Sequence, residues 1–240
     1  MCTLFRLLPL GMALAATGCA SGRPDPLVEG YGLGHVFHPL VKPTSVVIHH
    51  RTDERSGKDQ VYIFAINGAD PLCVGNLDGL CDYLREQGYT HTYFAQPYTR
   101  YWFANEISDV RRQDPKAKIV VIGYSWGCNE ARSMVNRLNR DGIPVELLVY
   151  LGGDFIWNTR ESSPPNVRRI VNVRGNGLLL LAGLVDGANL DGARNERIDS
   201  RHIELPSRRQ TLELLTEELN NLTGVTPTTG VPTASLTSRR

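Results

Sequence analysis

The sequence predicts an α/β sandwich, with a mostly parallel central sheet and helices on both faces. Short and almost wholly apolar runs, typical of strands buried on both faces, alternate with segments whose apolar residues follow helical spacing. The chain has 240 residues, of which 41% are hydrophobic and 21% charged. That length and composition suit one ordinary globular domain with a full core and argue against collagen, coiled coil or wholesale disorder.

The individual elements follow from local patterns in chain order. The segments that read as strands are 45–49, 60–66, 90–95, 118–122, 145–151 and 167–173. The segments that read as helices are 77–87, 102–113, 127–139 and 212–222. Right-handed crossovers between parallel strands place helices on both faces of the sheet. Functional groups then collect at the carboxyl ends of the strands, where we look for chemistry.

The two ends of the chain are predicted to lie outside the fold. Residues 1–18 read as a signal peptide, because a short apolar run follows Arg6 and is too short for a stable membrane span. The small residues before Cys19 resemble the lipobox of bacterial lipoproteins, which implies a lipidated Cys19 and an export to the cell envelope. The alternative is a simple secretory peptide and a periplasmic or secreted protein. Residues 19–27 read as a tether, 28–222 as the domain and 223–240 as a disordered tail.

The remaining cysteines and charges limit the possible ligands. Cys73 and Cys81 could form a disulfide in an oxidising compartment, or they could be two buried thiols. No second Cys or His pair at ligand spacing accompanies them, so no metal is predicted. No G-x-G-x-x-G follows the first strand, and no cofactor is expected. The net charge of +1 offers no basic excess for nucleic acid, which we do not expect as a partner.

The sequence Gly123-Tyr124-Ser125-Trp126-Gly127 follows an apolar strand and opens a helix. In a G-x-S-x-G turn the serine takes a strained backbone conformation, and the flanking glycines avoid side-chain clashes. The hydroxyl is then exposed above the sheet, at the amino end of the next helix, which favours developing negative charge. The motif therefore predicts Ser125 as a nucleophile.

A nucleophilic serine needs a base, and the base needs an orienting acid. In this architecture the chain order is serine, acid, histidine. His202 is the only histidine after Ser125, so it is the candidate base. Asp154 directly follows the strand after that of the nucleophile, behind two glycines, and is the candidate acid.

These residues resemble those of small bacterial α/β-hydrolases of the lipase, esterase and thioesterase type, over about 60–219. In most of that superfamily the acid follows one strand further along. Here that position reads Val173-Arg174-Gly175-Asn176, and the next acid is Asp186. Some lipases take the acid from the earlier strand, and Asp154 fits that variant. We favour Asp154 and keep Asp186 as the alternative.

The resemblance implies acyl transfer to Ser125, with His202 as base and then acid and with Asp154 orienting the imidazole. The backbone N–H of Trp126 and that of Gly68 or Ala69 are expected to bind the oxyanion. The predicted function is a serine hydrolase that cleaves a small-molecule carboxylic ester or thioester, held at a membrane by its lipid anchor. The alternative is a non-catalytic envelope lipoprotein with the same fold, and an acyltransferase is a third reading. The chain between Asp154 and His202 is too short for a large lid domain.

Overall fold

The computed structural model describes residues 57–70, 75–153, 156–176 and 187–224. The predicted strand at 45–49 and the lipidation site Cys19 lie outside these ranges, as do Cys73, Asp154 and Asp186. None of the helices in the described ranges is long and apolar enough to cross a membrane.

The described residues form one sheet in which every neighbouring pair of strands is parallel. Its strands are β1 (Val61–Ile66), β2 (His91–Ala95), β3 (Lys118–Tyr124), β4 (Leu147–Leu151), β5 (Ile170–Arg174) and β6 (Arg194–Arg197). The order across the sheet is β2-β1-β3-β4-β5-β6. The helices are α1 (Leu77–Glu86), α2 (Arg100–Gln113), α3 (Gly127–Arg140) and α4 (Arg209–Thr223). Short 3₁₀-helices cover Gly57–Gln60, Pro97–Thr99, Arg160–Ser162 and His202–Ser207.

The core has two layers, one on each face of the sheet. Successive strand residues point to opposite faces, so β1 contributes Tyr62 and Phe64 to one layer and Ile63 and Ala65 to the other. Helices α2 and α3 cover the first layer, and α1 and α4 cover the second. This arrangement confirms the predicted α/β class, with a parallel sheet and helices on both faces.

Most predicted elements recur within about three residues of their expected ends, as is usual for such boundaries. Helix α4 begins at Arg209 instead of 212. The predicted strands 145–151 and 167–173 each begin with an isolated bridge, between Val145 and Val167, before the regular ladder starts. β6 was not predicted, because its sequence Arg-Asn-Glu-Arg has no apolar residue to mark it as a strand.

Because the strands are parallel, their carboxyl ends share one edge of the sheet. β3 lies between β1 and β4, so the segments after these three strands meet there. The segments are those that begin at Asn67, Ser125 and Gly152. In the described parts of 152–201 the chain forms only β5, β6, a short 3₁₀-helix and loops, with no lid domain.

Candidate active site

Ser125 occupies a sharp turn between β3 and α3. Its φ is 52°, and Asn76 is the only other described residue besides glycine with positive φ. The Ser125 N–H donates to the carbonyl of Leu151, 2.9 Å away, which fixes the turn to the end of β4. A left-handed conformation costs a non-glycine residue roughly 1–2 kcal/mol. The turn therefore stores strain at the residue that the motif predicted as the nucleophile.

The two flanking glycines allow close backbone contacts. A Cβ on Gly123 would lie 2.6 Å from the Cα of Cys128. A Cβ on Gly127 would lie 2.2 Å and 2.3 Å from the carbonyl oxygens of Ile66 and Asn67. Helix α3 thus starts directly against the end of β1, which only glycine at position 127 permits. The spacing of G-x-S-x-G follows from these contacts.

Two features occur together in this chain. One is a parallel sheet covered by helices on both faces, and the other is a serine held at positive φ between a strand and a helix. The chain has the α/β-hydrolase fold. In this fold the serine hydroxyl stands above the carboxyl edge of the sheet, beside the loop after an earlier strand.

The loop after β1 lies against Ser125. A Cβ on Gly68 would be 2.6 Å from the Ser125 Cβ and 3.2 Å from its Oγ. The Asn67 N–H donates to the carbonyl of Ala95 at 2.8 Å, so that amide is already used. Gly68 and Ala69 are therefore the next amides along this loop, where we predict an oxyanion donor.

The other predicted donor belongs to the first turn of α3. Trp126 is the N-cap residue of this helix, so its N–H stands at the amino end of α3, directly after Ser125. Trp126 is 49% exposed. The roles of Trp126, Gly68 and Ala69 stay predictions, now with the amides of Asn67 and Ser125 assigned to other acceptors.

His202 lies at the same edge of the sheet. It opens the 3₁₀-helix His202–Ser207 and is only 4% exposed. Its ring stacks on that of Tyr124, with centroids 5.3 Å apart and planes 27° apart. The Tyr124 hydroxyl also donates to the His202 carbonyl at 3.3 Å. The residue before the nucleophile therefore contacts both the ring and the backbone of the predicted base.

Gly152 contacts the His202 ring. Its φ is 61°, and a Cβ there would lie 2.8 Å from the His202 Nδ1 and 2.9 Å from the Cε1. Gly152 follows β4, next to the turn of Ser125. The structure thus packs the imidazole against two segments, the end of β3 and the loop after β4. Sequence reasoning missed Tyr124 and Gly152, although their positions beside Ser125 and Asp154 were a signal.

Both candidate acids lie outside the described residues, but their described neighbours are in contact. The Gly187 N–H donates to the Gly153 carbonyl at 3.2 Å. The Ala188 N–H donates to the Ile156 carbonyl at 3.1 Å. Gly187 and Ala188 are therefore bonded to the described residues on either side of 154–155. The choice of Asp154 over Asp186 stays a prediction.

The two described cysteines are both buried. Cys81 lies on the inner face of α1, and its pairing with Cys73 stays a prediction. The Cys128 thiol, in the first turn of α3, donates to the Gly123 carbonyl at 3.1 Å. Among the described residues, no group of three or more His, Cys, Asp and Glu side chains could hold a metal ion.

No protein-family model matches the chain, and no curated protein matches it. Several solved structures are similar. The product of the gene lin2722 of Listeria innocua is 13% identical, covering 67% of this chain and 94% of that one, at a TM-score of 0.44. A predicted CIB-like hydrolase of Thermoplasma acidophilum is 13% identical, covering 67% and 86%, at a TM-score of 0.43. A serine hydrolase of Xanthomonas campestris described as lacking a lid is 12% identical, covering 72% and 84%, at a TM-score of 0.41. Because these TM-scores are all below 0.5, the assignment of the fold rests on the sheet order and the Ser125 turn.

Proposed function

We propose that the protein is a serine hydrolase that cleaves a small carboxylic ester or thioester through an acyl-enzyme on Ser125. The observation that carries this proposal is the positive φ of Ser125, 52°, at the end of β3. A serine that served only as a turn residue could be replaced by glycine or asparagine without strain. Strained conformations of this kind cluster at active sites, where the fold maintains them for function.

In the proposed mechanism His202 takes the proton of the Ser125 hydroxyl as that oxygen attacks the substrate carbonyl. The oxyanion is bound by the N–H of Trp126 and by that of Gly68 or Ala69. His202 then gives its proton to the leaving alcohol or thiol, and water later releases the acid from Ser125. Asp154, or Asp186 in the alternative, orients the imidazole and stabilises its charged form. Gly152 and Tyr124 support the ring during these steps.

The experiment is hydrolysis of a series of p-nitrophenyl esters and acyl thioesters of rising chain length. Ser125→Ala is expected to lower kcat/KM by about 10⁴-fold or more, since the nucleophile and its base act as a unit. Ser133→Ala, which removes an exposed serine hydroxyl from α3, is the matched control and should hydrolyse the esters like the wild type. The chain-length profile then describes the acyl pocket.

A fluorophosphonate provides a second readout that does not depend on choosing the right substrate. It is expected to label Ser125 in the wild type and to leave Ser125→Ala unlabelled. A well-folded wild-type protein that is neither labelled nor active would contradict the proposal. That outcome would point to the non-catalytic envelope protein of the same fold.

We also propose that the chain is exported and anchored by a lipid on Cys19. The small residues before Cys19 and the apolar run after Arg6 support this proposal. Expressed in a bacterium, the wild type should sediment with the membranes and carry radiolabel from palmitate. Cys19→Ala should lose the label. An unlabelled wild type recovered in the soluble fraction would show a simple secretory peptide or no export.

A further inference from the structure

A groove of about 400 Å³ lies between α2 and α3. The residues that bear on its chemistry are Arg100, Tyr101, Arg132, Arg137, Arg140 and Glu161. None of its lining residues belongs to the candidate active site. Its volume falls in the range of pockets that take small molecules, roughly 300–1,000 Å³.

The charges on this groove are unbalanced. Arg100 is paired with Glu130 of α3. Arg137 donates to the side-chain oxygen of Asn105 at 3.2 Å, and its guanidinium lies 5.7 Å from the centre of the Tyr101 ring. Within the part of the chain that the structure describes, Arg132, Arg137 and Arg140 form no ion pair. Glu161 offsets one of these three charges, which leaves about two positive charges facing the groove.

Several arginines elsewhere on the described surface are paired with carboxylates. Examples are Arg85 with Asp82, Arg194 with Glu217 and Arg209 with Glu213. The chain has almost as many acids as bases, 25 against 26, so its composition does not force arginines to stand together. Arg137 and Arg140 are three residues apart on α3, a spacing at which helix side chains are neighbours, so their like charges repel each other. An unpaired arginine cluster in a groove therefore indicates an anionic ligand.

We propose that this groove binds a phosphate group. A guanidinium presents a planar fork of N–H donors that matches two phosphate oxygens, and it stays charged at any working pH. A phosphate monoester carries a charge of about −1.5 to −2 at neutral pH, which complements the charge of the groove better than a single carboxylate does. The phosphate belongs either to a free small molecule or to a phospholipid headgroup, because both present the same oxygens.

The test is a titration of the full-length protein with inorganic phosphate at constant ionic strength, followed by the arginine Nε–Hε resonances. The wild type should show saturable shifts. A variant with Arg132→Ala, Arg137→Ala and Arg140→Ala should bind at least about tenfold more weakly, since three charge-assisted donors are lost. The control removes three paired surface arginines, with Arg85→Ala, Arg112→Ala and Arg209→Ala, and should bind like the wild type. Should the triple groove variant fail to fold, the single Arg140→Ala, at an exposed position, is measured instead.

A second arm identifies the source of the phosphate. Vesicles that contain phosphatidic acid are compared with vesicles of phosphatidylcholine alone in a sedimentation assay. Binding to the former that depends on Arg132, Arg137 and Arg140 assigns the groove to a headgroup, whereas phosphate binding without vesicle binding assigns it to a soluble ligand. The proposal is overturned if phosphate produces no saturable shift, or if the groove variant and the control bind it equally.

Discussion

At the scale of single residues, Ser125 combines an unfavourable backbone conformation with the most reactive position in the proposed site. Its φ of 52° places the serine backbone in the left-handed region, which glycine occupies without cost. The hydroxyl cannot be given up if the serine is the nucleophile. Stability and activity should therefore respond to substitution here in opposite directions.

Ser125→Gly should be more stable than Ser125→Ala by about 1 kcal/mol, because glycine relieves the strain that alanine keeps. Urea unfolding of the two inactive variants measures the difference. The reverse change at an open left-handed position, Gly142→Ala, should cost a similar amount, since Gly142 has a φ of 69° and no neighbour within 4 Å. Equal stability of the two Ser125 variants would show that the turn is not strained.

Tyr124 is expected to act as a positioning residue for His202. Tyr124→Phe keeps the ring stack and removes the hydrogen bond to the His202 carbonyl. We expect kcat for ester hydrolysis to fall about tenfold at unchanged KM, because a slightly misplaced base affects the transition state more than substrate binding.

The matched control for Tyr124 is Tyr150→Phe on the neighbouring strand. The Tyr150 hydroxyl is also buried and donates to a backbone carbonyl, that of Ser162, at 3.1 Å. Both variants should lose about 1 kcal/mol of stability, the usual contribution of one hydrogen bond. Only Tyr124→Phe should change kcat. A fall in kcat in both variants, or in neither, would remove the positioning role.

At the scale of elements, the start of α3 is fitted against the end of β1. A methyl group on Gly127 would overlap two backbone carbonyl oxygens, neither of which can rotate away as a flexible side chain could. Gly127→Ala should therefore cost about 3 kcal/mol or more, at the upper end of overpacking effects, and should slow fluorophosphonate labelling of Ser125. Thermal unfolding measures the loss. Gly142→Ala, at an open site, should cost clearly less, and an equal loss in both would contradict the contact.

The amino ends of β3 and β4 are joined through Glu146. Its carboxylate accepts from the Ile119 N–H at 2.5 Å, and its own N–H donates to the Ile119 carbonyl at 2.9 Å. Burial raises the pKa of Glu146, against the opposing effects of that hydrogen bond and of Arg111 and Lys118. The folded state therefore holds a proton on Glu146 more tightly than the unfolded chain does.

It follows that ionisation of Glu146 lowers the free energy of unfolding at pH values above the pKa that Glu146 has in the folded state. The cost disappears as the pH falls below the value for the unfolded chain, about 4.3. Glu146→Gln keeps an oxygen acceptor for Ile119 and loses the charge. The variant should be more stable than the wild type at neutral pH, with the advantage vanishing near pH 4. Urea unfolding across this range measures it, and a difference independent of pH would exclude the titration of Glu146 as its cause.

At the scale of the whole molecule, ion pairs attach the last helix to the far side of the sheet. Glu218 of α4 is buried and is held by Arg169 and by Arg194 of β6. Glu217 and Glu196 also pair with Arg194, and these three acids raise the pKa of its guanidinium. At this side of the sheet α4 is held by charged pairs, whereas it packs on the central strands through apolar contacts.

The sequence predicted the parts of the fold that depend on apolar periodicity. Five strands and four helices were recognisable because each buries a face or both faces in one of the two core layers. β6 could not be predicted, since it has no apolar residue and its side chains bond to residues far away in the chain, as Asn195 does to Asn172 of β5. A local sequence pattern does not identify such distant partners.

The same difference between local and long-range contacts applies to the candidate site. Ser125 could be predicted from its own turn, because the whole motif lies within five consecutive residues, even though Gly127 contacts the distant end of β1. The contact of His202 with Tyr124 joins residues 78 apart in the chain, and only the assembled sheet reveals it. Gly152 was noticed as a strand end, yet its packing on the His202 ring depends on where a later loop folds back. Long-range packing is the component that the sequence does not show.

The charged residues of β6 bear on contacts between two molecules of this protein. Among the described residues β6 is the last strand of the sheet, so one side of its backbone is not paired by β5. An open strand edge can recruit a strand from a second molecule and start aggregation, and charged side chains there oppose such pairing. Arg194, Glu196 and Arg197 place three charges on a strand of four residues. The strand that was hardest to predict is thus the one whose charges oppose edge-to-edge pairing with a second molecule.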